Sequence, residues 1–459
     1  MPRKTIFLLI TATLALLFGA DLFAEDPGNK VTNAKAYSLS ELYRLAGDRS
    51  EKIGISEEDL YMARLTRKKA FSVLVPRITA FADHKYMKYD DRYRTVPPNA
   101  FSDYDITQRS DTDSWGVRID QSFTLNGKEL TALRISGDMI SKSEYDLKAV
   151  KEKYFFQVAA AYYGILRAAK AVEISRANVM RLETHRNAVS IRLRLGEVTK
   201  TALYRTEAEL SGSNSAFVLA ENSMRSAKAV LAILVELPDD FSVQEPGTDH
   251  PSVPVAPLDR IKKEALENRA ELKALNLAKK ISEDTVTLQK GAYWPTVSLY
   301  GIYADSETST TDKKNPMDIE AGTESYTLGI SFDMTIFDNG LRKAEVSEAR
   351  SKERQALLAL DALSKQVRLE VEQAYLDLIT KKSIITSLED QLAFSRENYE
   401  AVTKQFEHGL SNSVDVMDAN TLLVTSQRQL SEARYSYRLA ALKLERTKGS
   451  FLNAVLLDE

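Results

Sequence analysis

The chain is written twice, and this constrains its fold more than any other feature. Gly116 and Gly329 stand 329 − 116 = 213 residues apart. The same offset joins Asp120 to Asp333, Asn126-Gly127 to Asn339-Gly340, Ala161-Tyr162 to Ala374-Tyr375, and Gly196 to Gly409. No insertion or deletion interrupts that register. Upstream, Val75-Pro76 corresponds to Trp294-Pro295 at a slightly different offset. A fixed long period marks a duplicated structural unit, so each half is expected to repeat one order of elements.

Each unit opens with a helical stretch, Leu39 to Ala70 and again Leu258 to Lys290, stopped by a proline. Alternating segments follow. In the second unit Leu328, Ile330, Phe332, Met334 and Ile336 alternate with Thr327, Gly329, Ser331, Asp333 and Thr335. In the first, Val117, Ile119, Phe123 and Leu125 alternate with Arg118, Asp120, Ser122 and Thr124. Period two with one apolar face predicts strands. Ile78 to Tyr89 and Thr296 to Asp305 are the partner strands, and loops rich in Asp, Ser, Thr and Pro, about 90–112 and 306–324, join each pair. Trp115, Trp294, Tyr293, Tyr86 and Tyr89 are expected near strand ends, as an interfacial aromatic girdle requires. A half-buried sheet on a soluble core and a membrane barrel both fit this pattern.

After each Asn-Gly the chain has almost no helix breakers until Gly196 or Gly409, which read as C-terminal caps at the tips of helical hairpins. A helix from Lys128 to Leu195 would be on the order of 100 Å long. The returning arms carry heptads: Leu203, Leu210, Phe217, Met224 and Leu231, matched by Val416, Leu423, Leu430, Tyr437, Leu444 and Phe451. Small residues follow three later, with Thr206, Ser213, Ala220 and Ala227 matching Ala419, Ser426, Ala433 and Ala440. The ascending arms carry Ile165, Val172, Val179, Arg186 and Leu193, matched by Leu378, Ile385, Leu392, Tyr399 and Phe406. Period seven predicts coiled-coil packing.

The expected organisation is a signal peptide at 1–24, a first repeat at 37–235 and a Pro-rich linker at 236–257. A second repeat at 258–452 and a tail at 453–459 complete it. Within the repeats the β-hairpins are expected at about 77–126 and 296–338, and the helical hairpins at about 128–235 and 341–452. The signal peptide rests on Arg3 and Lys4, the apolar run Ile6 to Phe18 and small residues before a cleavage after Ala24, a run too short to span a bilayer. The chain has no cysteine, which excludes disulfides and a lipid-modified N-terminal cysteine. A hydrophobic fraction of 44% is too polar for a bundle of membrane helices, and 62 basic against 65 acidic residues leave no nucleic-acid footprint.

One chain supplies four candidate strands, and an open four-stranded sheet in lipid would leave unpaired edges. Closure needs at least eight strands, so strands in lipid require oligomerisation. Two copies give eight and three give twelve, and composition does not choose between them.

With these pieces together the chain resembles the TolC family of outer-membrane efflux proteins. The resemblance is carried by the duplicated plan, by VEQAYLDL around Ala374-Tyr375, by FEHGLSNSVDVMDANTLL at 406–423, and by NRAELKALNLA at 268–278, where the family usually has Pro in place of Ala270. It implies a mostly α chain with membrane β structure: a trimeric 12-stranded β-barrel continuous with a 12-helix α-barrel. The connector and tail would form an equatorial belt. The function implied is an outer-membrane exit duct of a tripartite efflux pump or type I secretion system, a passive conduit across periplasm and outer membrane gated at its periplasmic tip. Its partners would be a periplasmic adaptor protein, an inner-membrane transporter and outer-membrane lipid, with no nucleic acid.

The same resemblance places the aperture at Asp415 and Asp418, one helical turn apart after the tip glycine. Six such carboxylates around a trimer axis would raise one another's pKa and attract cations; as plain residues at a helix start they would instead favour the dipole. The gate locks described in the family use a Tyr three residues before the turn glycine and an Arg two after it, where this chain has Phe406 and Ser411. The matching aspartate of the first repeat is Ala202. Lys200 and Arg205 sit at the first tip as partners for the acidic ring, or as ordinary surface charges.

No cofactor, metal or catalytic site is expected. His84, His185, His250 and His408 are scattered, without metal-ligand spacing or a phosphate-binding glycine loop. His408 reads as part of a helix end. A periplasmic coiled-coil scaffold or adaptor without a pore is the alternative: it shares the heptads but has no need for two alternating hairpins.

Overall fold

A computed structural model describes residues 35–93, 104–238, 240–245, 256–312 and 319–456. The signal-peptide segment, Pro246, Pro251 and Pro254 of the connector, and His250 lie outside the described residues. The chain order is β1 (Lys35–Tyr37), α1 (Leu39–Arg49), α2 (Glu51–Ser72), β2 (Arg77–Tyr93), β3 (Tyr104–Thr124), α3 (Lys128–Arg194) and α4 (Lys200–Val235). It continues with β4 (Phe241–Val243), α5 (Leu258–Asn268), α6 (Ala270–Lys290), β5 (Thr296–Asp312), β6 (Ile319–Asp333), α7 (Leu341–Glu407), α8 (Ser413–Lys448) and α9 (Phe451–Leu456).

Duplication is visible in the lengths. α3 and α7 each have 67 residues, on the order of 100 Å, and α4 and α8 each have 36. The first helical stretch of each repeat is not continuous, contrary to the expectation from sequence. Ser50 turns extended (ψ 119°) between α1 and α2, and its hydroxyl caps Ile53 N–H of α2. Arg269 also turns the chain out of the helical range (ψ 127°) between α5 and α6, without a side-chain cap. These breaks lie 269 − 50 = 219 residues apart, the offset that also joins Pro76 to Pro295.

The helices pack in two tiers. Near the sheet the lateral order is α2, α3, α6, α7; towards the tips it is α4, α3, α8, α7. Two apolar cores lie where the tiers meet. In one, Leu42, Tyr43 and Ile53 pack on Phe155, Val158 and Tyr162 of α3, with Leu231, Val235, Phe241 and Phe451. In the other, Ile261, Ala265 and Leu272 pack on Val367, Val371 and Leu378 of α7, with Tyr437 and Leu444 of α8. The connector contributes β4, which pairs in parallel with β1. Phe451 does not continue the α8 heptad: α8 ends at Lys448, Gly449 turns the chain at φ 76°, and Phe451 enters the first-repeat core.

Register explains the α8 seam. Val416, Leu423, Leu430, Tyr437 and Leu444 are all buried, with Ala419, Ser426 and Ala440 between them. On α4 the corresponding large residues, Leu203 to Met224, are only half-buried, and one flank of α4 has no neighbouring helix among the described residues. α3 differs from expectation because it has neighbours on two sides. The stripe from Ile165 to Leu193 turns towards α4, with Val172 beside Met224. A second stripe, Leu182, His185 and Val189, is the more deeply buried.

The four long strands form one antiparallel sheet, ordered β2-β3-β5-β6. They run further than their composition suggests. Segments read as Ser- and Thr-rich loops continue the ladder, Gln108 pairing with Asp312 and Tyr93 with Tyr104. Polar side chains at paired positions sustain this extension, as in the Thr112–Thr308 bond at 3.1 Å. Trp115 therefore sits mid-strand rather than near a strand end.

Register puts every apolar stripe on one face. Ile78, Ile119, Gly301 and Leu328 form one cross-strand row, and Phe123, Val297 and Phe332 another. Leu328 is 90% exposed and Ile330 70%. At the far end of the apolar stripe Trp115, Tyr303 and Tyr326 stack edgewise and tilted, with centroids 5.8 and 5.0 Å apart. The opposite face carries Thr79, Arg118, Asp120, Ser122, Ser298 and Asp333, with an Arg118–Asp120 bond of 2.6 Å.

On that polar face lies the reason for the repeat glycines. Phe81 faces Gly116 and Tyr300 faces Gly329. A Cβ on Gly116 would stand 2.7 Å from the Phe81 ring and 2.2 Å from Tyr303 carbonyl oxygen; one on Gly329 would meet the Tyr300 ring at 2.3 Å. Each aromatic ring thus lies flat over a glycine of the next strand.

Candidate functional site: the hairpin tips

Both tips close with the same backbone device. Gly196 N–H donates to Leu193 C=O (3.0 Å) and Glu197 N–H to Arg192 C=O (2.9 Å). Gly409 N–H donates to Phe406 C=O (3.0 Å) and Leu410 N–H to Gln405 C=O (2.8 Å). This pairing needs a left-handed residue at the turn, and the glycines have φ of 80° and 77°.

The returning helices start differently. At α4 the Thr199 hydroxyl caps Ala202 N–H. At α8 Asn412 Oδ1 accepts from Val414 N–H (2.8 Å) and Asp415 N–H (3.1 Å). Asp415 Oδ2 accepts in return from Asn412 N–H (3.1 Å) and the Ser411 hydroxyl (2.9 Å). This is a complete capping box. Ala202 occupies the equivalent place in the first repeat and cannot reciprocate.

The capping bonds to Asn412 N–H and Ser411 hold the Asp415 carboxyl below the usual range. Within one chain Asp415 is therefore a committed anion. Its neighbour Asp418 is exposed one turn along and makes no ion pair among the described residues. Asp415, Asp418, Leu422 and Thr425 share one exposed face of α8. The opposite face borders two open stretches of the groove between α3 and α7, one beside Glu245, next to the β1–β4 pair, and one at the tip. Lys200 and Arg205 are exposed on α4, and among the described residues neither pairs with Asp415 or Asp418. His408 occupies the C-cap of α7.

The structure also joins residues that the sequence did not connect. Arg192 of α3 donates to Glu407 C=O at 2.6 Å, and its guanidinium stacks 4.5 Å from the centroid of the buried Phe406 ring. So Phe406 is clamped between the two repeats by a cation–π contact. One turn further in, His185 Nε2 lies 2.8 Å from the Ser413 hydroxyl, which in turn lies 3.3 Å from that of Thr206 on α4. The His185 ring is 5.1 Å from that of Phe406. Burial pushes the imidazole below its ordinary pKa, offset in part by Ser413. Above these, Arg181 Nε donates to Asn420 Oδ1 (3.0 Å), Asn420 to Asn178 (2.7 Å) and Asn178 to Ser213 (2.9 Å). The two hairpins are thus joined at their tips by buried polar contacts.

Comparison with known proteins follows the same lines. The family model described as "Outer membrane efflux protein" matches residues 261–450, most of the second repeat. The chain is 21% identical over 459 residues to the outer membrane protein TolC of Vibrio cholerae serotype O1, covering 99% of this chain and 98% of that protein. It is 22% identical over 305 residues to the alkaline protease secretion protein AprF of Pseudomonas aeruginosa, covering 66% and 62%. Among solved structures, the outer membrane protein VceC of Vibrio cholerae superposes with a TM-score of 0.76 at 18% identity, over 90% of this chain and 96% of that one. The family resemblance read from the sequence is borne out.

Proposed function

We propose that this chain is the outer-membrane exit duct of a tripartite efflux pump or type I secretion system, a passive conduit across periplasm and outer membrane. One observation carries the proposal: a sheet whose outer face bears an exposed apolar band across all four strands, continuous with helices on the order of 100 Å long. From Phe123 to Trp115 the apolar stripe extends about 27 Å along β3. At a strand tilt near 40° this is about 20 Å of membrane depth, and Met334, Ile336 and Phe337 extend it towards the helices, against the roughly 25 Å band of outer-membrane barrels. Such a surface suits lipid and has no role in a pore-less scaffold.

The finer reading is a homotrimer. The outer edges of β2 and β6 are unpaired among the described residues, which favours pairing with neighbouring copies. Three copies would give a barrel of twelve strands, its polar face lining a lumen, above a tunnel of twelve helices in each tier closed through the open flanks of α4 and α7. The repeats and the connector then divide as the sequence suggests, with the connector and tail in an equatorial belt. A periplasmic adaptor protein and an inner-membrane transporter would supply the cargo and the work.

Asp415 and Asp418 are assigned to the aperture, since they face away from the groove that begins beside the β1–β4 pair. Six carboxylates around the axis would favour cations. Arg205 and Lys200 would meet the acidic ring only across protomers, because they do not do so within one. The test is planar-bilayer conductance of the detergent-purified protein with multivalent cations on each side. Cation-selective steps blocked from one side are expected, and Asp415→Asn/Asp418→Asn should abolish the block. Absence of conductance in a protein that stays in solution without detergent would sink the duct; unchanged block in the double variant would sink the aperture.

A further inference from the structure

His185 is 8% exposed and sits where four helices meet. Among the described residues its surroundings, element by element, place no carboxylate against the imidazole. On its own helix α3 the charged residues lining the same hollow are Arg181 and Arg192, the latter 3.8 Å from Glu197, and Arg181 Nη2 is itself buried with no hydrogen-bond partner among the described residues. α7 presents the Tyr399 phenol, the Phe406 ring and Glu407, whose carbonyl already accepts from Arg192 and whose side chain is on an exposed residue. α4 presents Thr206, uncharged. α8 presents Ser413, Val416 and Asn420, uncharged, and its own N-terminal end, which repels a cation. Asp415 is on the far face of α8, engaged in its capping box.

We propose that the His185–Ser413 contact is a proton-operated latch: protonation of His185 releases the tip of the α7–α8 hairpin from the α3–α4 hairpin. A neutral imidazole exchanges one hydrogen bond with the Ser413 hydroxyl and packs on Phe406. An imidazolium gains a proton that finds only two arginines and a helix N-terminus. Moving Ser413 away lets water reach the ring. The sign follows from the burial. In the latched state the imidazole is held below its ordinary value of about 6.5, and in the released state it returns there. The latch is therefore fully stable above about pH 6.5 and weakens as pH falls, by up to about ten-fold in the latched-to-released ratio per unit of pKa difference. That this release widens an aperture rests on the duct reading; the release itself does not.

Two measurements separate these. Hydrogen exchange of the α8 amides from Val416 to Leu423, corrected for intrinsic rates, is followed between pH 7.5 and 5.0 in the detergent-solubilised protein. Protection should fall in the wild type, by no more than about thirty-fold at pH 5.0, the limit set by a released-state value of about 6.5. It should stay level in His185→Gln, whose amide bonds Ser413 but does not titrate. Ser413→Ala, which keeps the histidine and removes its partner, should raise exchange a few-fold already at pH 7.5. A wild type without the fall, or His185→Gln with it, overturns the latch. Bilayer conductance is then recorded over the same range. An acid-induced rise is expected in the wild type and in Asp415→Asn/Asp418→Asn, and not in His185→Gln. A rise kept in His185→Gln and lost in the double aspartate variant would assign the acid response to the carboxylates. Loss of protection without any rise would leave a latch that is not a gate. A protein that never conducts refutes the duct and leaves the exchange result to stand or fall alone.

Discussion

Leu328 offers the sharpest test of where the sheet resides. It is 90% exposed and shares a cross-strand row with Gly301, Ile119 and Ile78. Ile119 is four residues from Phe123 and four from Trp115, about 14 Å along the strand from each border of the apolar stripe. This row therefore marks the middle of the band. An arginine at the midplane of a barrel's lipid face costs about 2–4 kcal/mol, so on the duct reading Leu328→Arg costs about 2–4 kcal/mol per chain. The next residue, Thr327, is also exposed but points to the polar face. Thr327→Arg should cost less than about 1 kcal/mol per chain, as an ordinary surface change does. The assay is refolding from urea into lipid vesicles, with equilibrium denaturation of the inserted protein and its heat-modifiable mobility as readouts. On a water-facing sheet both arginines would be tolerated alike. Equal stability of the two variants, within about 1 kcal/mol, would refute a lipid-facing surface and the duct with it.

Three further outcomes are expected. Gly329→Val should cost about 1–3 kcal/mol in the same assay by driving a side chain into the Tyr300 ring, and Tyr300→Ala in the same chain should recover much of the loss; no recovery would mean the ring is not the obstacle. Gly409→Ala should destabilise the second tip by about 1–2 kcal/mol through its left-handed backbone, read as faster proteolysis at the tip; unchanged cleavage would contradict the turn. Glu152 is 3% exposed, and burial, partly relieved by Lys148, raises its carboxyl to about 7. A raised acid stabilises the fold when protonated, so stability should fall as pH rises from about 4.5 to 7 and then level off. Over that interval the loss is roughly 3 kcal/mol, and Glu152→Gln should remove it in denaturant midpoints taken at pH 5 and 8; an unaltered slope would show that Glu152 does not titrate there.

What the sequence made legible was whatever repeats. Heptads at Leu423 and Leu430, the tip glycines and the alternating face of β6 follow from periodicity, which survives without knowledge of neighbours. Single residues that break or join elements were harder. Ser50 and Arg269 interrupt helices without glycine or proline, because the extended turn is fixed by a cap and by ion pairs of Arg269 with Glu271 and Glu370. The polar ends of β2 and β5 resemble loops in composition and become strands only through the ladder that pairs them. Asp415 carried a signal for its capping role, an Asn three residues before an acid at a helix start. His185 carried one too, at the third position between Leu182 and Val189 on a buried stripe. Both were legible locally; what they bond to was not, since Ser413 is 228 residues from His185.

The matched counts of 67 and 36 residues in the two repeats make the chain its own ruler. Both tips stand level because no residue has been gained or lost in one hairpin alone. A single insertion in α3 would lift one tip by about 1.5 Å and swing every later side chain by about 100°, unseating Arg192 from Phe406. Length can therefore drift only in whole heptads, entered in all four arms together. The gauge of such a molecule, the gap it bridges, changes in steps of roughly 10 Å or not at all.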